Sequence, residues 1–180
     1  MAKTLKTLGL DLSLVGTGLI SLKDGEIEVQ KLIKSKPVGD KPINELIRIR
    51  KIVSDIEDVL SDMDNLPDLA CIEGMAFMAR NTTALVQLSA LNYMTRALLA
   101  DYNIPFVIVA PTSLKKFITG SGASKKDVML IEMYKRYNVT ILDDNENDAY
   151  GLAQIGKALK EKEELTKFQQ EVVDLLKKQI

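Results

Sequence analysis

Histidine is absent from this 180-residue chain. That absence excludes a Ser-His-Asp triad, a Cys-His pair and every histidine-ligated zinc centre. Cysteine occurs once, at Cys71, so neither an intramolecular disulfide nor a multi-cysteine metal site can form, and a reducing, intracellular setting is expected. No apolar run reaches the roughly 18 residues that a membrane span needs. The stretch from Met1 to Leu12 lacks the apolar core and small-residue cleavage site of a signal peptide. The net charge is only −1, so no global basic field attracts nucleic acid, and any such binding must come from local clusters. Whatever chemistry the chain performs falls to carboxylates, lysines, hydroxyls or a hard cation.

What is present is ordinary globular material, 46% apolar and 27% charged, in a length that suits one domain with a full core. There is no internal repeat, low-complexity tract or long linker. Residues 7–12 and 17–22 read as short apolar strands. The Lys23-Asp24-Gly25 turn signal then leads into an alternating third strand over 26–33, and tight turns make these an antiparallel meander. Pro42 opens a helix whose apolar face is Leu46, Ile49, Ile52, Val53, Ile56, Val59, Leu60 and Met63, at spacings of three and four. Leu69 to Ile72 is a short buried strand ending at Glu73-Gly74. Asn81 or Thr82 caps a helix to about Tyr102 with Leu85, Leu88, Leu91 and Leu98 inward, and a fifth strand covers 106–109. Short helices follow over 111–117, from a Ser124 cap to about Tyr137, and over 147–159. Leu165, Phe168, Val172, Leu175 and Leu176 mark a final amphipathic helix within 161–180, expected to pack on the domain formed by residues 1–160. The fold class is α/β, a mixed five-stranded sheet (a three-strand antiparallel meander plus two parallel strands) flanked by helices.

Asp11 ends the first strand and Glu73 ends the fourth. Alone, each reads equally well as a turn-forming acid. If strands one and four are parallel neighbours, their carboxyl ends bring both carboxylates together, where they repel unless a proton or cation lies between them. A third acidic group, Asp143-Asp144-Asn145-Glu146-Asn147-Asp148, opens the last core helix. Asp148 begins its inner face, and Asn145 and Asp144, three and four residues earlier, share that face. Three or four oxygen ligands from separate elements suit Mg²⁺ or Mn²⁺, and two such ions can clamp a phosphodiester. Arg80, Lys115, Lys116, Lys125 and Lys126 flank loops at the same end of the sheet, and Phe77 offers an aromatic face to an unpaired base.

The element order with Asp, Glu and Asp at these positions resembles the RNase H-like superfamily. The segment from Glu73 to Asn81, the lysine-rich Lys115 to Lys126 segment around Gly120-Ser121-Gly122, and the Asp148-Ala149 pair followed by an apolar helix resemble the RuvC family of Holliday junction resolvases. The likeness spans about residues 5 to 160. It implies catalytic carboxylates at Asp11, Glu73 and Asp148, with the family's fourth acid replaced here by Asn145 and with Asp144 as the neighbouring candidate. It implies that Lys115 and Lys126 lie near the scissile phosphate and that Phe77 stacks near the crossover. It further implies a homodimer, two Mg²⁺ ions per site (Mn²⁺ substituting), and branched DNA as partner. Hydrolysis would nick opposed strands to leave 5′-phosphate and 3′-hydroxyl ends. A cytoplasmic location, bacterial or that of a phage host, is expected. A non-catalytic junction-binding module, which Asn145 would suit, and an RNase H-type hybrid nuclease are the alternatives. Asp11-Leu12-Ser13 with Gly16-Thr17-Gly18 also resembles the first phosphate loop of sugar kinases and actin-like ATPases, but no second loop follows.

Overall fold

The structure is a computed structural model that describes residues 4–39, 41–75, 82–161 and 164–180. Phe77, Arg80 and Asn81, expected at the DNA face and helix cap, lie outside the described residues. Strands β1 (Lys6–Asp11), β2 (Gly16–Lys23) and β3 (Glu26–Lys34) form the meander, followed by α1 (Pro42–Ser61), β4 (Leu69–Glu73), α2 (Thr82–Asp101) and β5 (Phe106–Val109). Helices α3 (Pro111–Thr119), α4 (Lys126–Tyr137), α5 (Asp144–Lys160) and α6 (Lys167–Leu176) complete the described elements with a 3-10 turn over Lys177–Gln179. The sheet order is β3-β2-β1-β4-β5. The meander is antiparallel, whereas β4 pairs parallel with both β1 and β5. No described helix is long and apolar enough to cross a membrane.

Strand alternation sorts side chains onto two cores. Leu8, Leu10, Leu19, Ala70 and Ile72 meet α1 and α2 on one face. Ile20, Leu22, Leu69, Cys71 and Val107 meet α3, α4, α5 and α6 on the other. Helix α5 lies unusually close to the sheet. A Cβ on Gly9 would fall 1.8 Å from the Ala149 carbonyl oxygen, and one on Gly18 would fall 2.1 Å from that of Asn145. Thr7 fixes the same approach, donating from its hydroxyl to the Ala153 carbonyl at 2.9 Å. Thr7, Gly9 and Asp11 therefore form a row beneath α5. The tight β2–β3 turn has Asp24 and Gly25 at φ 52° and 90°, the paired left-handed geometry of a two-residue hairpin.

Several boundaries differ from expectation. Leu46 is exposed, and the inner face of α1 runs through Ile49, Ile52, Ile56, Val59 and Leu60. Leu85 and Leu88 are only half-buried, because the start of α2 borders a cavity, although Leu88 also packs against the core. Ser124 does not cap α4: its hydroxyl bonds the Thr119 hydroxyl at 2.6 Å, and the helix begins at Lys126. Helix α5 begins at Asp144, three residues earlier than the apolar pattern suggests, because Asp143 accepts bonds from the backbone N–H groups of Asn145 and Glu146. On α6 the buried face is Gln169, Val172, Val173 and Leu176; Leu175 is exposed, and Phe168 lies under the Arg136 guanidinium at 5.1 Å. Beyond α6 the Gln179 side-chain amide accepts from the Ile108 N–H and donates to the Ile108 carbonyl, both at 2.9 Å, on the outer side of β5.

Candidate active site

The parallel register sets Gly9 beside Cys71 and Leu10 beside Ile72. One further step brings the last residues of both strands, Asp11 and Glu73, side by side on the face that carries α5. Their side chains are hydrogen-bonded to each other. Helix α5 runs over Gly9 and Gly18, and its first turns carry Asp148 into the field of both acids. Three elements thus deliver three carboxylates to the carboxyl end of the parallel strands.

Burial is the main cause of their altered acidity. It pushes Glu73 up to about 9, with the adjacent Asp11 and then Asp148 adding repulsion and Lys115 opposing. Asp148 rises to about 7 through burial and then the charge of Asp11, with Lys126 and Lys115 opposing. Asp11 rises to about 6 through burial, while its bond to Glu73 and the charge of Lys126 hold it down. Burial and mutual repulsion raise the pair as a whole, so Asp11 and Glu73 hold a proton between them more readily than free carboxylates do. Among the described residues, no three Asp, Glu, Cys or His side chains stand in a ready-made metal cage.

Asp144 turns outward to a hydrogen-bonded ion pair with Lys126, raising the lysine's own pKa. Asn145 lies over β2, with its backbone oxygen against Gly18 and its amide nitrogen 3.3 Å from where a Cβ on Gly16 would sit. Asp143 serves as the helix cap. Lys115 acts on both Glu73 and Asp148. Lys116 is bound at 2.7 Å by Glu171 of α6, away from the carboxylates. Lys125 precedes α4 at its N-cap. The loop after Asp11 is fixed by Thr17, whose hydroxyl donates to the Ser13 carbonyl at 2.8 Å and accepts from the Ser13 N–H at 3.1 Å. Arg48 reaches the same loop, donating to the Leu14 carbonyl and, at 2.8 Å, to the Ser35 hydroxyl.

Three structural contributors are not marked as such by the sequence. Gly9 and Gly18 were legible only as strand residues, although glycine inside a strand signals close backbone approach. Asn92 on α2 is 1% exposed; its signal was a polar residue in the Leu85, Leu88, Asn92, Thr95 stripe that faces inward.

No family model matches the chain. The crossover junction endodeoxyribonuclease RuvC of Prochlorococcus marinus strain SARG is 31% identical over 158 residues, covering 83% of this chain and 96% of that relative. The same enzyme of Prochlorococcus marinus strain MIT 9303 is 29% identical over 139 residues, 75% of this chain and 85% of the relative. Among solved structures, Thermus thermophilus RuvC in complex with Holliday junction substrate superposes with a TM-score of 0.69 at 16% identity, over 83% of this chain and 90% of that one. An RNase H-like sheet, three converging carboxylates and near-complete alignment lead to one assignment: the chain belongs to the RuvC family of crossover junction endodeoxyribonucleases.

Proposed function

We propose that the protein is a metal-dependent endonuclease that resolves Holliday junctions, with Asp11, Glu73 and Asp148 holding the metal. The observation that carries this reading is the convergence of three desolvated, mutually repelling carboxylates on one sheet edge, in a chain whose relatives bear that activity in their names. The donor set fits a hard divalent cation: all oxygen, no histidine, and carboxylates whose charged forms a cation would stabilise. Mg²⁺ is the favoured ion, with Mn²⁺ substituting, and a second ion would need Asp144 or Asn145 to join the set. Bound there, it supplies Lewis acidity, making the attacking water more acidic and offsetting charge on the phosphate and leaving oxygen.

The chain's own groups do the rest. The Asp11–Glu73 pair must give up its shared proton for both to become ligands, so binding releases protons. Lys115, beside Glu73 and Asp148, offers a cation to the phosphate as its charge grows. Lys126 exchanges Asp144 for the DNA backbone, and Lys125 extends that basic edge. Hydrolysis leaves 5′-phosphate and 3′-hydroxyl ends. A labelled four-way junction, a fork, an RNA–DNA hybrid and a plain duplex, each incubated with Mg²⁺ or Mn²⁺, test the reading. We expect paired nicks in opposed strands of the junction. Hybrid cleavage alone would move the assignment to an RNase H activity, and no cleavage with either ion would leave only a binding module.

Paired nicks require two sites in matching geometry, which a two-fold homodimer provides. The outer stripe of α2 supports this arrangement: Val86 and Tyr93 are 65% and 64% exposed, and Ala97 and Ala100 continue the line. Tyr93→Lys is expected to shift sedimentation from dimer to monomer. A dimer undisturbed by that charge would place the interface elsewhere.

A further inference from the structure

We propose that the cavity between α2 and the end of β4 receives an unstacked nucleobase from the bound strand, and that Asn92 reads the edge of that base. The inference rests on the nuclease reading above and names a specificity site for it. The cavity encloses about 310 Å³, with walls that include Leu12, Glu73, Met75, Leu85, Leu88 and Asn92. Its place is the first argument. Leu12 directly follows Asp11, and Glu73 itself forms part of the wall. A group entering here therefore touches Glu73, one of the three site carboxylates, and on a DNA strand held at that site it would be a nucleotide close to the cleaved phosphate.

The second argument is independent of position. Asn92 is buried, and its Oδ1 has no hydrogen-bond partner. Native folds leave few buried acceptors unmet. Leucine here would continue the stripe of Leu85 and Leu88 and spare the fold that deficit. A buried carbonyl oxygen needs a donor, and the exocyclic amine or ring N–H of a base supplies one. Among the described residues, Leu12, Met75, Ala84, Leu85, Leu88 and Pro111 give the walls an apolar character, which suits the faces of a planar base taken out of its stack. An apolar side chain would leave Asn92 unsatisfied.

The probe is a four-way junction carrying 2-aminopurine at successive positions flanking the crossover, bound to the full chain without divalent metal. Anisotropy reports binding, and emission reports the base's surroundings. Cleavage with Mg²⁺ is then compared across junctions that differ only at the position giving the largest emission change. We expect the wild type to prefer one base by about tenfold, the discrimination of a single good base-edge contact. Asn92→Leu should bind the junction equally, melt at a higher temperature and lose that preference. Leu88→Phe, which fills the cavity, should lose the emission change while still binding. Retained base preference in Asn92→Leu, or a retained emission change in Leu88→Phe, overturns the inference and leaves the nuclease reading intact. A wild type that neither binds nor cuts any junction brings down both.

Discussion

The Asp11→Asn variant is expected to bind a four-way junction and fail to cut it, with cleavage falling by at least about 10³-fold, the scale of losing a principal charge-stabilising group. The same substitution should stabilise the metal-free protein. Asp11, Asp148 and Glu73 all titrate higher in the fold than in a free chain. From about pH 4 to about pH 9 the folded state therefore holds more protons on them than the unfolded state, and rising pH lowers stability. Removing the Asp11 charge returns on the order of 1–3 kcal/mol at pH 8, given about 1.4 kcal/mol per pKa unit. Calorimetry on the wild type without metal should show a melting temperature that declines as pH rises through this window. Mg²⁺ should raise it most at the alkaline end, by binding the native state alone. In Asp11→Asn the decline should be shallower and the response to Mg²⁺ small. A variant that still cuts fully, or a wild type whose melting temperature climbs over that range, would remove Asp11 from the centre of the site.

The Gly9→Ala variant should be damaged as badly by one added methyl group. The new Cβ would stand 1.8 Å from the Ala149 carbonyl oxygen and 2.7 Å from the Ala153 nitrogen, both backbone atoms of α5. Neither can rotate away, so the helix must lift from β1. Overpacking of this kind costs about 3 kcal/mol, the upper part of the usual range. The lift also draws Asp148 away from Asp11, and a displacement near 1 Å lowers turnover by about 10²-fold. Gly16→Ala is the matched control. Its Cβ would meet the movable Asn145 amide at 3.3 Å, and near-normal stability is expected. Denaturant melts of both variants with junction-cleavage rates check the contrast; equal tolerance at the two positions would show that α5 does not depend on close seating.

Much of the framework was legible in the sequence. Glycine, proline and alternation punctuate strands clearly, so the meander, β4 and β5 emerged nearly at their observed bounds, and parallel β1 and β4 made Asp11 and Glu73 neighbours. What escaped were choices made by tertiary contacts. Asp143, Asp144 and Asn145 are chemically alike as a string. Their separation into a helix cap, a lysine partner and a residue laid over β2 depends on where α5 starts and how closely Gly18 lets it approach. Lys115 and Lys116 are likewise adjacent, yet one faces the carboxylates and the other is bound by Glu171 of a helix some fifty residues later. Ser124 looked like a cap because serine often is one, but Thr119 already holds its hydroxyl.

The amide of Gln179 takes both backbone groups of Ile108 on the outer side of β5, and that has a consequence for the protein in company. An open strand margin is a template on which a second chain can add a strand. Here a side chain mimics the missing neighbour, occupying the donor and the acceptor together, and the α6 segment lies alongside. At the opposite margin β3 presents Lys31 and Lys34, whose charge repels an incoming strand. Both margins of the sheet thus oppose growth by different means, so copies of the chain at high concentration are kept from fusing strand to strand.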